Sequence, residues 1–398
     1  MTKQKTKTTP WSTASTVSFH FQSRHVDLYP RVDYEGSSEL LKALFRYYLE
    51  ENSYSDRYLF HGLQRSDRDV RENLEFDYPV VLPNTDAPYN AALLLLHGLN
   101  EKRWDKYLPW ARRLADNLHR PVLLFPLAFH MNRAPTAWSD SRKMIPVARE
   151  RKRLFPELQD SSFLNVALSH RIQFAPHRFL TSGLHSIFDT VDLVSTIRSG
   201  DHPLFEENAS VDLFGYSIGA TIAEYLMMAD PRGLFSDSRA YLYCGGAVID
   251  RSSPVSKTII DAEAYRELFS FLTKVFRGIA DLGDGLQRVL REHLKDLEWL
   301  KSLLFIDRMR GIREHRLGEI AARLRAAVMS KDRVFPPEAV RSSLQGPAPI
   351  EVLEFDLPFE YRHDNPLPVK SENPEAVEHL LREISRDAAN FYFNLIIG

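Results

Sequence analysis

Residues 211–219 read Val-Asp-Leu-Phe-Gly-Tyr-Ser-Ile-Gly, and a helical pattern begins at Ala220. Gly215, Ser217 and Gly219 thus form a G-x-S-x-G element between an apolar strand pattern and a helix pattern. The chemistry such a spacing serves is nucleophilic. A hydroxyl lifted out of a sheet must sit on a sharp, strained strand-to-helix turn. The two backbones then run so close that side chains at the flanking positions would clash, so glycine is required there. The serine also opens a helix, whose free amides and dipole favour developing negative charge. Ser217 is the candidate nucleophile.

A serine hydroxyl is a poor nucleophile at neutral pH unless a histidine takes its proton and a carboxylate fixes the tautomer. The strand, G-x-S-x-G and helix resemble the elbow of α/β-hydrolases, whose base follows the serine in the chain, and four histidines follow Ser217. His293 and His315 sit in charged helical sequence, and His379 lies in the last helix beside Glu378. His363 follows a strand pattern, Ile350 to Phe355, within the loop Tyr361-Arg362-His363-Asp364-Asn365-Pro366. It is the expected base. Leu324 to Met329 also reads as a strand and runs into Ser330-Lys331-Asp332-Arg333-Val334-Phe335-Pro336. Asp332 leaves that strand end in a proline-limited loop and is the expected acid. Asp250 is the second choice, and Asp364, adjacent to the base, is badly placed to orient it.

An acyl-transfer site also needs two backbone amides aimed at the tetrahedral oxygen. One follows the nucleophile, at Ile218. The other comes from the loop after an early strand, where Leu93 to Leu96 run into His97-Gly98-Leu99-Asn100. Leu99 is the expected donor, Gly98 permits the close approach, and His97 reads as a structural loop residue. Candidate pocket residues are Asn100, His130, Arg133 and Tyr216, with Trp138 similarly placed. For His130 and Arg133 a structural role is the equal alternative. Phe269, Phe276, Trp299 and Leu303 read first as helix-to-core packing and second as an acyl-chain wall.

The elements that must hold these residues alternate. Strand patterns at 75–82, 91–96, 121–126, 211–214, 240–249, 324–329 and 350–355 are separated by helical patterns at 104–118, 188–199 and 221–230. Buried strands alternating with helices imply a parallel sheet covered on both faces, with ligand sites at the carboxyl ends of the strands. A helical pattern from about residue 37 (Leu40, Leu41, Leu44, Phe45, Tyr48) precedes the first strand. Two stretches break the rhythm. Residues 127–187 are long for one connection, and 257–322 read as three helices, 262–282, 286–304 and 308–324, which reads as a cap over the site.

Together these pieces resemble the α/β-hydrolase superfamily over about residues 75–126 and 188–395. The resemblance rests on His97-Gly98, Gly215-Tyr216-Ser217-Ile218-Gly219, Ser330-Lys331-Asp332-Arg333-Val334 and His363. It implies the α/β-hydrolase fold, a triad of Ser217, Asp332 and His363, and oxyanion amides at Leu99 and Ile218. The chain departs from a minimal member in its N-terminal extension, the 120-residue gap from His97 to Ser217 and the insertion before Asp332. It resembles a divergent, bacterial-type branch with a helical cap. The implied layout is an N-terminal tail and helical extension (1–74), a core (75–256, with the insertion at about 127–187), a cap (257–322) and the rest of the core (323–398). The expected activity is hydrolysis of a small-molecule ester or thioester. Acyl transfer through the same triad, or binding without catalysis, is the alternative.

Composition narrows the rest. Lysine and arginine total 51 against 53 acidic residues, so nothing marks a nucleic-acid or anionic-membrane partner. The run Arg149 to Arg153 reads as a solvated helix face. No apolar run approaches the ~20 residues of a membrane span. With no His-Glu-x-x-His and a single cysteine, Cys244, neither a metal nor a cofactor is expected, and Cys244 reads as a structural thiol. The first eighteen residues lack an apolar leader core and read as a tail, so a cytoplasmic location is expected. The sequence leaves oligomeric state open.

Overall fold

The computed structural model describes residues 14–30, 62–280, 282, 284–368 and 372–393. Eight strands form one sheet: β1 (Ser15–Gln22), β2 (Glu75–Leu82), β3 (Tyr89–Leu96), β4 (Val122–Phe125), β5 (Phe205–Tyr216), β6 (Ala240–Tyr243), β7 (Leu324–Met329) and β8 (Glu351–Phe355). Their order is β1-β2-β4-β3-β5-β6-β7-β8. The pairs β1–β2 and β2–β4 are antiparallel, and every pair from β4 to β8 is parallel. This is the α/β-hydrolase fold.

The sheet is buried on both sides because its strands are apolar throughout. Leu93 to Leu96 of β3 are fully buried. Leu94 and Leu96 join the core on one face, while Leu93 and Leu95 join the core on the other. Each such leucine contributes about 1.5–3 kcal/mol of burial. The helices are α1 (Tyr107–Leu118), α2 (Ser141–Leu154), α3 (Val166–Phe174), α4 (His177–Arg198), α5 (Ile218–Ala229), α6 (Ala262–Arg277), α7 (Asp284–Glu292), α8 (Leu294–Ser302), α9 (Ile306–Ile320), α10 (Pro337–Ser343) and α11 (Pro374–Phe393). Helices α1 and α11 cover one face, and α4, α5 and α6–α9 share the core of the other.

Several boundaries differ from the sequence expectation. Strand β1 begins at Ser15, inside the expected tail, because Val17, Phe19 and Phe21 pack against the core beside β2. The helical pattern from residue 37 lies outside the described residues. The strand expected to reach Ile249 ends at Tyr243, where Cys244 adopts φ +47° and Gly245-Gly246 follow. The helix expected over 286–304 is interrupted at His293, giving α7 and α8. Helix α4 starts eleven residues before the expected 188, so the 127–187 connection is mostly helical.

The charge run at 149–153 is not uniformly solvated. Arg151 is fully buried and grips Asp261 through Nε–Oδ2 at 2.5 Å and Nη2–Oδ1 at 2.7 Å. Asp261 also caps α6 by accepting from the Ala264 amide. The 127–187 segment is thereby fastened to the start of α6. On the far side, the buried Arg313–Glu224 pair fastens α9 to α5. Leu268, Leu290, Leu297 and Leu317 of the segment 257–322 join the core on the face that α4 and α5 cover.

Removing one partner of a buried ion pair strands the other charge. Asp261→Ala should destabilise the fold by about 3–5 kcal/mol, read as a lowered urea midpoint. Arg151→Met combined with Asp261→Leu should recover much of that loss. Loss near zero for Asp261→Ala would contradict the fastening.

Candidate active site

The strand-to-helix bend places Ser217 where β5 ends and α5 begins. Its backbone sits at φ +57°, ψ −123°, a conformation that L side chains rarely adopt. The bend is held from three sides. Ser217 N–H donates to Tyr243 O at 3.1 Å, and Ser217 O accepts from the Ala220 amide at 2.9 Å. Gly219 passes so close to the end of β3 that a Cβ would collide with the carbonyl of Leu96. A Cβ on Gly215 would stand 2.5 Å from Ala220 Cα. Strain of this kind costs about 1–3 kcal/mol and persists only where the surroundings over-determine it.

The hydroxyl raised by this bend meets an imidazole. Ser217 Oγ lies 2.8 Å from His363 Nε2, and His363 Nδ1 lies 2.7 Å from Asp332 Oδ2. The other carboxylate oxygen of Asp332 accepts the amides of Val334 at 2.8 Å and Phe335 at 3.0 Å. All three side chains are buried. With Asp332 accepting at Nδ1, the ring presents the lone pair of Nε2 to the hydroxyl. Asp250, the second choice for the acid, instead accepts from the Ile306 amide, and Asp364 pairs with Arg362. His315 and His379 lie on exposed helix faces.

The loop after β3 runs beside this group. Ser217, Leu99 and Ile218 line one cavity, and a Cβ on Gly98 would stand 3.3 Å from Ser217 Cβ. Ile218 opens α5, so its amide has no acceptor within the helix. His97 does not face the hydroxyl. Its Nε2 accepts the Leu127 amide at 2.9 Å and its Nδ1 donates to Gly98 O at 2.8 Å. Burial holds the ring well below its ordinary pKa, so it is a neutral clamp between the loops after β3 and β4.

Tyr216 and Asn100 lie at the site, but as supports. The Tyr216 hydroxyl donates to the His363 carbonyl, and its ring stacks on the imidazole at 5.5 Å and 13°. Asn100 donates to Leu164 O at 3.0 Å and Thr258 O at 2.7 Å, joining the two insertions over the cavity mouth. His130 lines an apolar chamber that adjoins the serine. Arg133 is a correction to the sequence reading. It is fully buried behind the loop, where it pairs with Asp189 at 2.6 Å and donates to Asn73 O and Pro126 O. It reaches none of the cavities beside Ser217. Trp138 lies under the Arg171 guanidinium, and Phe269 and Phe276 pack on Phe305, whereas Leu303 lines the chamber.

Two supports carried no signal in the sequence. The Tyr107 hydroxyl accepts the Gly98 amide at 3.0 Å. Lys106 donates to Asp364 O at 2.8 Å, pairs with Glu101 and lies 4.6 Å over the Tyr216 ring. Together they tie the loop after β3 to the loop carrying His363.

A family model described as a family of unknown function, DUF6051, matches residues 3–393. The chain belongs to DUF6051. No curated protein matches it. Solved structures similar to this DUF6051 member include an S-formylglutathione hydrolase from Agrobacterium tumefaciens (10% identity, TM-score 0.44, covering 97% of each chain). The peroxisomal α/β-hydrolase Lpx1 of Saccharomyces cerevisiae is 13% identical, with a TM-score of 0.42 over 96% of this chain and 89% of that one. Carboxyl esterase 2 of Tuber melanosporum is 11% identical, with a TM-score of 0.41 over 79% of this chain and 81% of that one. Likenesses at this level say nothing of substrate.

Two outcomes follow for the DUF6051 chain. A methyl group at Gly219 should lower stability by at least about 1–3 kcal/mol through overpacking, seen as a fall in Tm; an unchanged Tm would contradict the close approach. The second concerns pH. Burial lowers His97 well below its ordinary pKa and His130 to about 4. The unfolded chain takes up these protons near pH 6.5, while the native chain refuses them. Their contribution is complete above about pH 6.5 and is lost as pH falls toward 4, by up to about 1.4 kcal/mol per unit for each ring. Asp189, held at about 2 chiefly by Arg133 against the opposing effect of burial, loses its contribution only below its ordinary pKa of 3.8. Urea midpoints should therefore drop between pH 7 and 5; a flat profile over that range would contradict the neutral, buried rings.

Proposed function

We propose that this chain is a serine hydrolase that cleaves an ester or thioester through an acyl-Ser217 intermediate. The observation that carries the reading is the run of contacts from Ser217 Oγ to His363 Nε2, and from His363 Nδ1 to Asp332, at 2.8 and 2.7 Å. Ser217 Oγ attacks the carbonyl carbon as His363 Nε2 takes its proton. The carbonyl π pair moves onto oxygen, where the amides of Leu99 and Ile218 receive it. Each such donor is worth about 10²–10³ in rate. Collapse of the tetrahedral species breaks the bond to the leaving alcohol or thiol, which takes the proton from His363. Water, deprotonated by the same imidazole, then releases the acid and restores Ser217. Asp332 holds the tautomer and stabilises the imidazolium without taking the proton.

The surroundings support this division of labour. The polar mouth, lined by Glu101, Lys102, Lys106 and Asp364, offers an exit for the leaving group. The slot on the other side of Ser217 is walled by Ile249, Leu268, Val334 and Phe335 and suits an apolar acyl part. Among the described residues, no helix is long and apolar enough to cross a membrane.

A fluorophosphonate probe should label Ser217, and Ser217→Ala should abolish labelling and lower kcat by about 10⁶. Asp332→Asn should lower kcat by about 10⁴ with the fold intact. Labelling that survives Ser217→Ala would overturn the assignment.

A further inference from the structure

Beyond the slot at Ser217 lies an apolar chamber, and two of the residues lining it each bury a polar atom that has no hydrogen-bond partner among the described residues. The chamber follows α5, with Ile218, Thr221, Ile222 and Tyr225 on one wall, a spacing that puts them on one helical face. Leu99, Phe179, Ile218 and Ile249 line both this chamber and the slot that holds Ser217, so the two spaces adjoin. Leu272 of α6 and Leu303, just past the end of α8, also line it. Thr221 stands one helical turn, about 6 Å along the axis, from Ser217.

Besides Tyr225, four polar side chains with hydroxyl or imidazole groups interrupt the apolar wall on the sides of α4, α5 and the loop after β4. Two are settled: Ser182 donates to Phe179 O, and Ser186 donates to Ser182 O. The other two are not. His130 Nε2 and Thr221 Oγ1 are buried and have no hydrogen-bond partner among the described residues. Their residues are only 8% and 5% exposed. A buried polar atom left unpaired costs about 1–3 kcal/mol. Apolar pockets with a few converging polar groups are the usual form of a small-molecule site.

The chemistry of the missing partner follows from the two atoms. His130 Nδ1 lies 2.8 Å from the carbonyl oxygen of Ala128, which only accepts, so Nδ1 carries the proton. Burial keeps the ring neutral, with its pKa pushed down to about 4. Nε2 therefore offers a lone pair and no proton. The Thr221 hydroxyl can donate and accept. A methylene would satisfy neither atom, and a ketone only Thr221. A hydroxyl carries both complements, a proton for His130 Nε2 and a lone pair for the Thr221 hydroxyl.

Resting on the serine-hydrolase reading above, we propose that this chamber is the acyl subsite and that it selects acyl groups carrying a hydroxyl a few carbons from the ester carbonyl, read by His130 Nε2 and Thr221 Oγ1. The selection is a matter of binding the reacting acyl group, and it leaves the steps at Ser217 unchanged. Thr221 and His130 are specificity determinants.

The test compares kcat/KM of the full chain for ethyl hexanoate and for its four derivatives hydroxylated at carbon three, four, five or six, followed by ethanol release with the enzyme-free rate subtracted. At least one hydroxylated derivative should exceed ethyl hexanoate by about tenfold, the effect of one well-placed hydrogen bond of ~1.4 kcal/mol. Thr221→Val should bring that ratio down about tenfold, toward one. Equal rates across the panel, a preference for the unsubstituted chain, or a preference that Thr221→Val leaves in place would each overturn the subsite. Those results, obtained from protein whose Ser217 reacts with the fluorophosphonate, leave the hydrolase reading standing. Failure of the probe to label Ser217 removes that reading and this one with it.

Discussion

The structure turns on one close approach, that of Gly219 to the last carbonyl of β3. Helix α5 can begin directly under the sheet edge only because no side chain intervenes there, and that forces the bend at Ser217 into its strained conformation. The energy that holds the bend comes from elsewhere. Strands β3 and β5 are buried on both faces, and α5 is buried along nearly its whole length. A packed interior of this kind yields little, so strain at one residue persists rather than relaxing into its neighbours.

Around that bend, the remaining groups are fixed from behind rather than by the hydroxyl itself. Asp332 is pinned by two amides of its own loop, and the His363 backbone is held by the Tyr216 hydroxyl. Tyr107 holds Gly98, and His97 joins the loops after β3 and β4. These contacts link the carboxyl ends of four strands, so the distances at the site are properties of the whole sheet. The insertions are drawn into the same arrangement. Arg151–Asp261 ties one to the other, and Asn100 bridges Leu164 and Thr258 across the mouth.

Much of this was legible because it is written in short-range patterns. Strand β7 matched its apolar run residue for residue, and β3 ran directly into His97-Gly98 as read. Ser217, His363 and Asp332 were singled out by lying just past strand ends, and the structure brings those three side chains together. What was hidden depends on partners far away in the chain. Arg151 reads as one more surface charge until Asp261, 110 residues on, is placed against it. Arg133 looked available to a ligand because nothing local announces Asp189 or Asn73. Tyr107 and Lys106 look like ordinary residues at a helix start, and their roles exist only once Gly98 and the loop carrying His363 fold against them. The end of β6 at Cys244 was overrun because its left-handed turn follows an apolar strand without a break in pattern.

The central claim is that Ser217 carries the acyl group during turnover. It is tested most directly by rapid mixing with p-nitrophenyl acetate, acid quench and mass measurement of the chain. The account predicts an initial burst of about one nitrophenol per chain and an acetyl group on Ser217. Steady release with no burst, no adduct and no loss in Ser217→Ala would contradict it.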